Sequence, residues 1–166
     1  MATVQETFIQ LLDEYKAIIY KIAAVYAVTD EGQKDLFQEI VINLWTSYES
    51  FRGESKISTW LYRIALNTAI TNYRRNKHYQ KQVDLTHQEA VNLPNCTEVD
   101  WSEETALLQK AIQKLTAFDK AIILLYLEEK SYQEISAVIG ISSPAVGMRI
   151  KRIKEKLILL LKTTNL

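Results

Sequence analysis

The stretch from Ser131 to Ile150 constrains this chain more than any other. It reads Ser131-Tyr-Gln-Glu-Ile-Ser-Ala-Val-Ile-Gly-Ile-Ser-Ser-Pro-Ala-Val-Gly-Met-Arg-Ile150, two short amphipathic runs separated by one tight turn. Ser131 is placed to cap the first run, with Glu134 three residues on to complete a capping box. Ser136 is small, as close approach of two helices requires, and Gly140 stands where the turn needs a residue tolerant of positive φ. Ile135, Ile139, Ile141, Val146 and Ile150 form an apolar seam. Ser142 or Ser143 caps the second run, and Pro144 suits a first helical turn, where its missing N–H has no partner to lose. This is the layout of a helix-turn-helix. Its second helix is expected to turn Met148, Arg149, Lys151, Arg152 and Lys154 outward and to offer an N-terminus able to hold a phosphate. A plain helical hairpin with a basic surface is the simpler alternative. Ala145 and Gly147 carry no hydrogen-bonding side chain, so phosphate contacts and groove shape are expected to carry much of any DNA recognition.

The rest of the chain is built for helices as well. Among 166 residues there are only 4 Gly and 2 Pro, and 48% are hydrophobic. Steps of three and four mark amphipathic helices over 8–28 (Phe8, Leu11, Leu12, Tyr15, Ile18, Ile19, Ile22) and 35–45 (Leu36, Ile40, Val41, Leu44, Trp45). Thr29 to Gly32 is a polar break that supplies a cap. The segment 47–58, with Gly53, reads as a loop. A long helix, capped by Ser58 or Thr59, then runs to about Arg75 with Trp60, Leu61, Ile64, Ala65, Thr68 and Ala69 inside. Periodicity fails from Asn76 to about Ser102, and helices resume over 103–116 (burying Leu107, Leu108, Ala111, Ile112, Leu115) and 117–129. The expected fold class is all-α: two small helical domains, 1–78 and 103–166, joined by an acidic, flexible linker at 79–102.

Net charge is zero, but its distribution is not even. Charges from Arg63 to Lys81 are all positive, those from Asp84 to Glu104 all negative, and after Ile135 the six cations from Arg149 to Lys162 face Glu155 alone in the closing helix. Two basic zones around an acidic one suggest two contacts with a polyanion; the alternative is solvated helix faces. Cys96 stands alone, which excludes an internal disulfide framework. The amino terminus lacks a basic segment followed by an apolar core, and no apolar run reaches the roughly 18–20 residues of a membrane span, so a cytoplasmic location without membrane insertion is expected. No nucleophile–base set, phosphate loop or metal-ligand spacing is visible, and His78 and His87 fall in or beside the linker. A non-enzymatic protein with no cofactor is expected.

Asp35-Leu-Phe-Gln-Glu-Ile-Val-Ile-Asn-Leu-Trp45, Phe51-Arg-Gly, Thr59-Trp-Leu-Tyr-Arg-Ile-Ala-Leu-Asn67 and Arg74-Arg75 together resemble region 2 of sigma-70-type factors. The helix-turn-helix, preceded by Leu115-Thr-Ala-Phe-Asp-Lys-Ala-Ile-Ile-Leu-Leu-Tyr126, resembles region 4. Their order and the short acidic linker are similar to the extracytoplasmic-function (ECF) subfamily, which keeps only these two regions. The resemblance implies a sigma factor that binds core RNA polymerase, directs it to promoters and assists their melting.

It further implies core-binding contacts to the β′ coiled coil from Asp35, Gln38, Glu39 and Asn43, a contact with the β subunit, and control by an anti-sigma factor. The residues Asp35, Gln38 and Glu39 are spaced i, i+3, i+4, which puts them on one face, with Leu36, Ile40 and Leu44 on the other. The −10 promoter DNA would meet Phe51, Arg52, Lys56, Tyr62, Arg63, Asn67, Arg74 and Arg75, with Trp60 and Tyr73 nearby. Trp60 and Tyr62, two residues apart, cannot both face inward; Trp60 is expected inside and Tyr62 outside beside Arg63. The −35 element would meet Ser131, Ser142, Ser143, Met148, Arg149, Lys151, Arg152 and Lys154. Two positions depart from common family patterns: Thr71 stands where an acid is frequent, and Gly147 where a longer polar side chain is. A stand-alone helix-turn-helix regulator and a helical adaptor that binds polymerase without DNA are the rival readings. No sustained heptad marks a dimerisation stripe for the former.

Overall fold

A computed structural model describes the backbone of residues 1–83 and 103–164, with side chains over 1–78 and 103–164. Seven helices and no strand occur among the described residues: α1 (Val4–Tyr26), α2 (Asp30–Tyr48), α3 (Ile57–Val83), α4 (Glu103–Gln113), α5 (Ala117–Leu127), α6 (Tyr132–Ile139) and α7 (Ser143–Thr164). The chain divides into two compact units, Met1–Cys96 and Thr97–Leu166. The helix at 79–83 extends α3 beyond Arg75, where the expected linker should begin; the remainder of that linker, 84–102, lies outside the described residues.

In the first unit α1, α2 and α3 each pack on the other two. A reciprocal capping box starts α1: the Glu6 amide donates to Thr3 Oγ1 (3.2 Å) and the Thr3 amide to Glu6 Oε2 (2.7 Å). The Thr29 hydroxyl caps α2 by accepting from the Gly32 amide, as its place in the polar break suggests. Ile19, Ile22, Leu36, Ile40 and Leu44 are fully buried, and each contributes roughly 1.5–3 kcal/mol of transfer free energy. Along α3 the inner positions are Leu61, Tyr62, Ala65, Leu66 and Ala69, with Thr59 and Thr68. Trp60 and Ile64, expected inside, are only half-buried. Two helices press on α3, so its apolar stripe is wider than one periodic row and is rotated toward Tyr62 and Leu66.

In the second unit α7 packs on α4, α5 and α6, and α6 also packs on α5. Thr116 caps α5 through the Asp119 amide. Seven of the eleven residues of α5 are buried, Lys120 included, whose Nζ reaches Gln113 Oε1 at 3.4 Å. Ala111, Ile112 and Leu115 are buried as expected, but Leu107 and Leu108 are half-exposed. Below the turn, Ile135, Val146, Ile150, Ile153 and Leu157 form the seam between the last two helices and their neighbours.

Candidate nucleic-acid interface

The turn between α6 and α7 has the geometry its residues require. Gly140 closes α6 at φ 85°, a left-handed conformation that strains residues bearing a Cβ. The Ser136 hydroxyl donates to the Ile141 carbonyl and ties the turn to α6. Ser131 Oγ accepts from the Glu134 amide (3.1 Å), half of the capping box. Between the two candidate caps of the second helix the structure chooses Ser142, whose Oγ accepts from the Ala145 amide (3.3 Å); Ser143 is the first helical residue. With Val146, Ile150 and Ile153 inside, Met148, Lys151, Arg152 and Lys154 lie exposed on α7. Lys154 Nζ donates to Tyr126 Oη (2.7 Å), and this hydrogen bond raises the affinity of the ammonium for its proton.

Arg149 corrects the expected set. It is only half-exposed: its Nη1 donates to Asp119 Oδ1 at 3.0 Å, and its guanidinium lies 5.0 Å from the centre of the Phe118 ring. Position 149 sits beside the buried row 146–150–153, so its long side chain folds onto the first turn of α5 while keeping part of its length in solvent.

In the first unit the loop between α2 and α3 exposes Arg52 and Lys56 and half-buries Phe51. Gly53 turns it at φ 73°. Phe51 packs on Trp60 (ring centres 5.2 Å apart), Trp60 on Tyr48 (6.2 Å), Tyr48 on Phe8 (5.2 Å) and Phe8 on Trp45 (4.9 Å). This aromatic chain draws Trp60 partly out of the helical core and toward the loop. The placement of the two aromatics is therefore the reverse of the expectation. Tyr62 is 5% exposed, in line with Ala65, Leu66 and Ala69, and so lies inside rather than outside beside Arg63. Arg63, Asn67 and Arg74 remain on the outer face, spaced i, i+4 and i+11.

A second correction concerns α2. Asp35 and Gln38 are exposed, but Glu39 and Asn43 turn toward α3. Asn43 Nδ2 donates to Thr68 Oγ1 (2.9 Å), and that hydroxyl donates to the Ile64 carbonyl (2.7 Å). Glu39 Oε2 accepts from Asn72 Nδ2 (2.9 Å), and Arg75 Nη2 lies 3.3 Å from both Glu39 oxygens. Moving four residues up α2 moves four residues down α3, so these contacts stitch an antiparallel pair. Glu39 and Arg75, expected at separate surfaces, thus hold each other. Sequence reasoning also missed Ile42, which is 62% exposed, and took Trp45 for an inner residue although it is partly exposed. Asp35, Gln38, Ile42 and Trp45 follow one another at i, i+3, i+7 and i+10, a single outer stripe that turns from polar to apolar. That spacing was the available signal.

Among the described residues no group of acids, histidines or cysteines could hold a metal ion, and no helix is long and apolar enough to cross a membrane. His78 is exposed, and His87 lies outside the described residues.

Taken together, the structure is a three-helix unit with a cationic outer stripe and a helix-turn-helix unit. Comparison with known proteins gives the family. Residues 11–79 match sigma-70 region 2 and residues 105–157 match sigma-70 region 4. The chain is 29% identical over 164 residues to the ECF RNA polymerase sigma factor SigW of Bacillus subtilis, covering 92% of this chain and 88% of that protein. It is 33% identical to the RNA polymerase sigma factor YlaC of the same organism, over 76% of each chain. The ECF RNA polymerase sigma-E factor of Escherichia coli is 30% identical over 91% of this chain and 84% of its own. The fold is shared with the sigma factor RpoE solved in complex with the anti-sigma factor NepR from Bartonella quintana (TM-score 0.76, 23% identity, 94% of this chain and 97% of that one). It is also shared with CnrH in complex with the cytosolic domain of CnrY (TM-score 0.70, 24% identity, 96% and 90%). The chain belongs to the ECF group of the sigma-70 family, and is a transcription initiation factor.

Proposed function

We propose that this sigma factor divides promoter recognition between its two units: residues 1–78 bind core RNA polymerase and open the −10 element, and residues 103–166 grip duplex DNA at the −35 element. The observation that carries the reading is the pairing, within one chain, of a capped helix-turn-helix exposing Lys151, Arg152 and Lys154 with a region-2 unit exposing Arg52, Lys56, Arg63, Asn67 and Arg74. Asp35 and Gln38, extended by Ile42 and Trp45, form the stripe offered to the β′ coiled coil. The polar end sets orientation and the apolar end supplies burial. Phe51 and Trp60 border the loop where an unstacked base would be held, and the cations of α3 would follow its backbone.

Each contact alone is weak for a chain of zero net charge. Joined on one polymerase, with the segment at 84–102 as tether and a further contact from the β subunit, they gain through effective concentration. The protein works in the cytoplasm, performs no catalysis itself and needs no cofactor. An anti-sigma factor, of the kind seen with the sigma factor RpoE, would hold it inactive.

The test is run-off transcription with bacterial core polymerase on DNA from upstream of the chain's own gene. A defined transcript that depends on this protein, and fades when Asp35 and Gln38 are replaced by Ala, is the expected result. Failure to bind core, together with tight binding of the chain alone to a duplex operator, would instead make it a stand-alone regulator.

A further inference from the structure

Gly147 lies inside α7, where glycine is disfavoured because it loses the most backbone freedom on folding. The fold compensates in a specific way. A methyl group at Gly147 would stand 3.1 Å from Tyr132 Cε2, 3.5 Å from Cδ2 and 4.0 Å from Cζ. The ring of Tyr132, from the first turn of α6, therefore occupies the space that a side chain at position 147 would fill. The carbon bearing its hydroxyl is among the atoms over that space. Yet Tyr132 is 44% exposed, so the ring is not there to complete a core.

At about 100° per residue, positions 147, 151 and 154 fall within roughly 60° of arc on α7. Lys151 and Lys154 are both exposed. On the opposite flank of the helix, Arg149 is tied to Asp119.

We infer that Tyr132 is a DNA-contacting residue: its ring is seated in the notch left by Gly147, and the hydroxyl it carries donates to a backbone phosphate of the −35 duplex alongside Lys151 and Lys154. Gly147 is then a positioning residue, whose missing side chain admits the ring. The inference rests on the reading of α6 and α7 as a DNA-binding helix-turn-helix. It gives a physical reason for a glycine inside α7: the polar group arrives from the neighbouring helix.

The experiment measures binding of a short duplex by the full chain across a salt series, beside thermal melting of the same variants. Tyr132→Phe removes only the hydroxyl and is expected to weaken binding about three- to tenfold. Because the phenol is neutral, the salt dependence should not change, whereas Lys154→Gln should reduce its slope by about one. Gly147→Ala should weaken binding to a similar degree while leaving the melting temperature unchanged or higher, since alanine favours the helix and the half-exposed ring can swing aside. Loss of affinity without loss of stability is what a purely structural role for the notch would not produce. If Tyr132→Phe and Gly147→Ala bind as tightly as the unsubstituted chain while Lys151→Gln/Arg152→Gln does not, the inference is overturned and the helix-turn-helix reading stands. If Lys151→Gln/Arg152→Gln also binds unchanged, both are overturned.

Discussion

Each unit ties one arginine of its expected DNA-binding set to an acid of its own, and the two ties differ in kind. In the second unit Arg149 meets Asp119 at 3.0 Å, with side chains 43% and 13% exposed, and the guanidinium also covers Phe118. In the first, Arg75 meets Glu39 at 3.3 Å, with side chains 62% and 35% exposed. Asp119 has little water to fall back on, so its partner is part of the fold. Glu39 keeps Asn72 as a second donor and has solvent within reach, so Arg75 can leave at low cost. Charge sign alone made both arginines look like nucleic-acid contacts. Only the surroundings separate a cation committed to packing from one on call.

The comparison can be broken most directly at its strong end. Replacing Arg149 by Ala should destabilise the second unit by about 1.5–3 kcal/mol, because it leaves a mostly buried carboxylate unpaired. Urea unfolding would measure this, and a loss near zero would return Arg149 to the DNA-contacting set. A different contrast appears in alkali. Burial pushes the Tyr26 hydroxyl well above its ordinary value of 10.0, with Tyr73 adding to the effect and Arg74 opposing it. The unfolded chain therefore releases this proton first. The stabilising contribution is complete below pH 10 and is lost as pH rises beyond it, with a slope approaching about 1.4 kcal/mol per pH unit. Tyr26→Phe should remove that part of the slope from the first unit when stability is followed between pH 9 and about pH 11.

A smaller effect is expected at Asn43, which stitches α2 to α3 through Thr68. Asn43→Ala should cost about 1 kcal/mol in chemical unfolding and leave affinity for core polymerase intact. A loss of core affinity without loss of stability would restore its place on the polymerase surface. Weakest of all in stability is Arg75→Ala, for which about 0.2–1 kcal/mol is expected. Its consequence should lie in promoter opening, read by permanganate reactivity of unpaired thymines. A large loss of stability would mean that the two ion pairs are alike after all.

Legibility differed between the units for physical reasons. The helix-turn-helix was readable almost residue by residue because each local rule there acts alone: a cap at Ser131, a left-handed glycine at Gly140, a seam through Ile135, Val146 and Ile150. The choice of Ser142 over Ser143 as the cap needed coordinates, since either hydroxyl fits the pattern. In the first unit the cores of α1 and α2 followed their periodicity, but α3 did not. Its stripe is set by two neighbours at once, and the aromatic chain from Trp45 to Phe51 competes with the core for Trp60. Tyr62 is buried as a result. Position along a helix states which residues share a face, not which face the rest of the chain will cover.

The sequence by itself therefore determined the helical class, the caps and turn of the DNA-binding motif, the family and the separation of charge along the chain, because these depend on residue type and short-range spacing. Tertiary structure alone decided that Glu39 and Asn43 face α3, that Arg149 pairs with Asp119, and that Tyr132 fills the space above Gly147. Each of those outcomes is a contact between helices distant in sequence or separated by a turn. Which long side chain wins such a contact depends on what the neighbouring helix leaves exposed, and that is settled only when the helices pack.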